Sequence, residues 1–130
     1  MGKKKNKKFL LGERMKSFAF AWNGLKIFWR EEPNSRIHFL ATAVVIITGF
    51  LLKISKSEWF AVLLSIGFVL VTEIINTSIE NLADFVSPGK DDRIKKIKDL
   101  SAAAVFIAAV TALLIGLIIF LPKIVHLLFY

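Results

Sequence analysis

The sequence predicts an all-α integral membrane protein in which three transmembrane helices follow an amphipathic surface helix. Three observations carry this. Of 130 residues, 55% are hydrophobic, more than a soluble core of this size can use. The apolar residues gather into three runs, 37–52, 59–83 and 101–121, near the roughly 20 residues that cross about 30 Å of hydrocarbon. The cations, which give a net charge of +8, collect outside those runs. The whole of 1–130 reads as one membrane-embedded domain.

Residues 1–12 form a basic leader. No apolar run follows it directly and no small-residue cleavage site appears, so a signal peptide is not expected. Across 14–30, Phe18, Trp22, Leu25, Phe28 and Trp29 recur every three or four residues, with Lys16, Asn23, Lys26 and Arg30 between them. This is the pattern of a helix lying along an interface. Each cation on its flank favours anionic lipid by about 1 kcal/mol. It reads either as a plain anchor or as a cover for a lipid-facing site. The first span is the shortest, and Arg36 and His38 at its start are expected to reach back toward head groups. Residues 53–58 make a tight polar turn. The second connection, 84–99, opens with Ser87-Pro88-Gly89, which stops a helix, and then turns charged.

Lys and Arg set the orientation. Ten of the eighteen lie at or before Arg36 and five lie from Lys90 to Lys98. Positive segments stay inside, which places the amino terminus and the 84–99 connection in the cytoplasm. The expected location is the bacterial cytoplasmic membrane.

Several chemistries are excluded. The glycines are scattered singly, so there is no phosphate-cradling loop and no dinucleotide fingerprint. There is no cysteine, and His38 and His126 lie near opposite faces, so neither a zinc site nor a serine triad can be assembled. Carboxylate chemistry remains. Glu73, Asn76, Glu80 and Asp84 fall within about a quarter of one helix circumference. An ionised acid at membrane depth costs on the order of 2.5 kcal/mol or more unless compensated, so a functional site is the default reading. Asn76 could alternatively make an interhelical hydrogen bond, and Lys98 could be a positive-inside anchor. About 10 Å along the axis separates Glu73 from Glu80, a spacing suited to a hydroxyl end and a metal-nucleotide end. Acids holding Mg²⁺ by one or two oxygens, with nucleotide phosphates completing the octahedron, fit the rim. The deeper Glu73 fits a general base for a hydroxyl arriving from the lipid side.

The run Thr72-Glu73-Ile74-Ile75-Asn76-Thr77-Ser78-Ile79-Glu80, then Asp84, then Lys98-Asp99 before Ala102-Ala103-Ala104-Val105, resembles the prokaryotic diacylglycerol kinase family. Trp22-Asn23-Gly24-Leu25 and Asn34-Ser35-Arg36-Ile37-His38 extend the likeness over about 14–121. Gram-positive-type members of that family are undecaprenol kinases. The resemblance implies transfer of the γ-phosphoryl group of MgATP to a lipid alcohol, undecaprenol or diacylglycerol. It implies Glu73 as general base, Glu32 and Glu80 as Mg²⁺ ligands, and Lys98, Asp99, Asp84 and Arg14 at the nucleotide, with Asn76 and Arg36 in support. It further implies a homotrimer with active sites shared between subunits, and no nucleic-acid partner. Three departures stand out: Gly89 and Asp91 replace a Glu and a His frequent in relatives, Glu13 competes with Arg14 in the alignment, and Ala102 replaces a serine near the lipid pocket. The competing classes are a small proton or cation carrier, which would move ions without nucleotide, and a structural protein, which would tolerate loss of Glu73.

Overall fold

The computed structural model describes residues 7–129, with side chains from Leu10 onward; residues 1–6 of the basic leader lie outside the described part. It is all-helical: α1 (Lys7–Glu31), α2 (Pro33–Leu51), α3 (Lys56–Val86) and α4 (Asp92–Phe129). Helices α2, α3 and α4 are each long and apolar enough to cross a membrane. The chain divides between Arg36 and Ile37 into two compact units.

In the first unit, α1 starts within the leader and runs longer than the 14–30 expected. Phe18, Phe20, Trp22 and Trp29 are exposed along it, whereas Phe28 is buried. Glu32 is the single non-helical residue before α2. Its carbonyl accepts from both the N–H and the Oγ of Ser35, at 3.0 and 2.7 Å. Pro33 follows at the first helical position, where its missing N–H costs nothing.

In the second unit, the α2–α3 hairpin is closed by a bonding pattern that needs an unusual residue. Ile54 N–H donates to the Gly49 carbonyl at 3.1 Å and Lys53 N–H to that of Phe50 at 3.2 Å. These two bonds make a Schellman ending, and they force Lys53 to a φ of 50°. Ser55 then caps α3 through a reciprocal pair: its Oγ accepts from Glu58 N–H while Glu58 Oε2 accepts from Ser55 N–H. Trp59 lies over Gly49 and against the Phe50 ring, with ring centroids 4.8 Å apart. A methyl group at Gly49 would stand 2.8 Å from the Trp59 ring. Gly49→Ala is therefore expected to cost about 1–3 kcal/mol through overpacking, read as a lower thermal midpoint in detergent.

Ile54, Val62 and Ile119 form a small core at this hairpin end, bordered by Val45, Trp59 and Phe120. Most other large apolar side chains, such as Leu64, Phe68, Phe106 and Ile118, face outward, as helices solvated by lipid allow. Hydroxyls in the spans bond back to carbonyls of their own helix: Thr48 to Val44, Ser65 to Ala61, Ser78 to Ile74 and Thr111 to Ile107. This satisfies them without water.

The helices overrun their apolar stretches. Helix α3 continues to Val86 and α4 begins at Asp92, so the expected 84–99 connection shrinks to 87–91, and Lys98 and Asp99 are helical. Helix α4 also continues past Pro122 to Phe129, beyond the expected end at 121. With 31 and 38 residues, α3 and α4 are about 46 and 57 Å long, well over the hydrocarbon thickness.

Candidate functional site

Three members of the polar stripe of α3, Glu73, Asn76 and Asp84, are met by partners from α2 and α4. Deepest is Glu73, whose Oε1 lies 2.7 Å from Nε2 of His38 on α2; the two side chains are 12% and 24% exposed. The expectation that His38 reaches toward head groups is thus corrected: the ring turns along the bundle to the one carboxylate beside it, because an acid within an apolar segment needs a partner. One turn on, Asn76 Oδ1 accepts from Ser101 Oγ of α4 at 2.7 Å. The interhelical bond anticipated for Asn76 is present, and it orients the amide between Glu73 and Glu80.

Glu80, the next acid, is half-buried. Among the described residues it makes no hydrogen bond and no ion pair within 4 Å, though its charge acts on the Lys98 ammonium. At the end of the stripe, Asp84 Oδ1 accepts from Lys98 Nζ at 2.9 Å. Asp99 pairs with Lys95 one turn back on α4, so Lys98 and Asp99 are not each other's partners. Both pairs are solvent-exposed, and such pairs add little to stability.

Asp84, Lys98 and Asp99 line one cleft of about 430 Å³ together with the 87–91 connection, including Gly89 and Asp91. Asp91 has a structural task there. Its Oδ1 accepts from Arg93 N–H at 2.8 Å and Ile94 N–H at 3.4 Å, capping α4. The Arg93 guanidinium, 3.2 Å from Oδ2, and these amides hold the Asp91 carboxyl below the usual aspartate range.

Toward the hairpin, an apolar cavity of about 210 Å³ opens between α2, α3 and α4. His38 stands in its wall along with Thr42, Val45, Ser65, Val69 and Phe120. One residue therefore borders an oily chamber and touches the deepest acid.

Arg14, Glu32 and Arg36 belong to the first unit. Arg14 and Arg36 are exposed and Glu32 is half-buried. Among the described residues, no three His, Asp or Glu side chains converge into a metal cage. Mg²⁺ carried by a nucleotide needs only one or two carboxylates, and Glu80 is a hard oxygen donor that makes no hydrogen bond among the described residues. Sequence reasoning missed the contacts of His38 and Ser101. The available signal was a lone imidazole just inside one span and a lone carboxylate inside the next, two polar groups that lipid obliges to pair.

Residues 19–120 match the family model described as prokaryotic diacylglycerol kinase. The undecaprenol kinase of Bacillus subtilis (strain 168) is 39% identical over 113 residues, covering 87% of this chain and 92% of that protein. A diacylglycerol kinase of Synechocystis is 30% identical over 112 residues, 85% of this chain and 64% of its own length. The diacylglycerol kinase of Escherichia coli K12 is 25% identical over 100 residues, 77% and 82%.

Proposed function

The chain belongs to the prokaryotic diacylglycerol kinase family, and from that premise we propose that it transfers the γ-phosphoryl group of MgATP to undecaprenol, giving undecaprenyl phosphate. Kinase activity goes with the family. The choice of acceptor is supported by the similarity to the undecaprenol kinase of B. subtilis. Diacylglycerol is the second reading, supported by relatives that phosphorylate that lipid and by its own primary hydroxyl. The observation that carries the reaction class is the placement of Glu73: on one stripe with an open Glu80 and the polar cleft at Asp84, and linked through His38 to an apolar cavity.

The reaction needs position and charge neutralisation more than covalent help. Glu73 removes the proton of the lipid hydroxyl, whose oxygen attacks the γ-phosphorus in line while ADP departs, without a phosphoenzyme. Lys98, with Arg14 and Arg36, draws the phosphates to the rim, and Asp84 and Asp99 hold the cations that meet them. Asn76, fixed by Ser101, steadies the stretch between base and nucleotide. Glu80 and Glu32 are the acids that would hold Mg²⁺, which when bound offsets charge on the phosphates. A carrier has no use for a cleft of paired charges at the end of the stripe.

The remaining parts of this reading are the assembly and its placement. Three chains form a trimer with shared sites, since one bundle of spans leaves the polar face of α3 short of cover. Helix α1 lies amphipathically on the inner surface, and the amino terminus and the 87–91 connection face the cytoplasm, where ATP is found. The test is a radiolabelled-ATP assay of purified protein in lipid, offering undecaprenol and diacylglycerol separately. Label is expected in undecaprenyl phosphate at the higher kcat/KM; preferential labelling of phosphatidic acid exchanges the two acceptors, and label in neither lipid overturns the proposal.

A further inference from the structure

We propose that His38 is a positioning residue for the reaction, fixing the carboxylate of Glu73 so that only one of its oxygens meets the lipid hydroxyl. This rests on the reading of Glu73 as the base. Glu73 is nearly enclosed, and His38, 35 positions away on a different helix, supplies its hydrogen bond at 2.7 Å through Nε2. With Oε1 held, the group cannot rotate about its terminal torsion. Oε2 then keeps a single direction, and effective molarity depends on such constraints.

Two features of the surroundings favour this role over plain helix packing. First, His38 also stands in the wall of the apolar cavity, so the held carboxylate sits where a lipid tail lying in that cavity would deliver its head. Second, an imidazole donates an N–H without a permanent charge, whereas a fixed cation at this spot would weaken Glu73 as a base. The proton balance is simple. The hydroxyl proton passes to Oε2, the oxygen–phosphorus bond forms, the bond from γ-phosphorus to the bridging oxygen breaks, and ADP leaves with that electron pair. His38 keeps its own proton throughout.

The experiment measures kcat and both KM values for the full-length protein in lipid, comparing His38→Ala, His38→Gln and His38→Asn, each alone and His38→Ala also with Glu73→Gln. Glutamine carries an amide nitrogen to about the reach of imidazole Nε2; asparagine stops at the position of Nδ1. The expected result is a kcat about 10- to 100-fold lower for the Ala and Asn variants, with KM for MgATP within about 2-fold. Gln recovers most of the rate, and the double variant is no slower than Glu73→Gln alone. The inference is overturned if Ala matches wild type, if Asn rescues as well as Gln, or if the double variant loses the same factor again. An Ala variant that does not fold leaves the Gln-to-Asn ratio as the deciding measurement. Failure of the underlying reading shows separately, as a Glu73→Gln protein that still transfers phosphate.

Discussion

Glu73→Gln is expected to reduce phosphoryl transfer by about 10²–10⁴-fold, the usual contribution of a positioned base, while leaving the helices folded. The amide matches the acid in size and can still accept from His38 Nε2 through its carbonyl oxygen, so the α2–α3 contact survives. It cannot take up the proton of an alcohol. The measurement is radiolabel incorporation into lipid beside helicity and thermal midpoint of the same preparation. An active variant, or an inactive one that has lost its helical signal, would count against a chemical role for this carboxylate.

Glu80→Gln is the second change with a large expected effect. Glu80 spends neither oxygen on a protein hydrogen bond among the described residues, so Gln, which keeps its size and gives up only its charge beside Lys98, is expected to leave the helices folded. A hard oxygen ligand to Mg²⁺ is lost, however, and a metal that offsets phosphate charge contributes several kcal/mol. We expect kcat/KM for MgATP to fall about 10²–10³-fold, with part of the loss recovered at high Mg²⁺. A magnesium titration of both proteins decides the matter: parallel curves separated only in height would remove Glu80 from the metal and make it a structural acid.

The fold class and the deep acid were legible in the sequence because lipid imposes a strict rule on composition. An apolar run long enough to span admits acids only at a cost, so Glu73 and its stripe announce themselves. Helix ends were harder to read. Lys98 and Asp99 look like loop residues in a charged segment, yet Asp91 caps a helix that carries both of them, and aqueous exposure places no limit on helix length. At the other end, the run expected to finish at 121 belongs to a helix that continues through Pro122. Partners across helices were the least visible. His38–Glu73 and Ser101–Asn76 are separated by 35 and 25 positions, and their pairing depends on the rotation of each helix about its axis, which periodicity alone does not define.

The Gly49–Trp59 contact and the small core beside it sit at the opposite end of the bundle from the Asp84–Lys98 cleft. The charged rim and the hairpin packing therefore occupy opposite ends of one short chain, while the apolar cavity shares Val45, Val62 and Phe120 with the hairpin core. Changes at the rim leave that packing untouched, whereas enlarging the apolar cavity draws on the same side chains that hold the hairpin together, so a wider acceptor chamber carries a stability cost that a redesigned nucleotide rim does not.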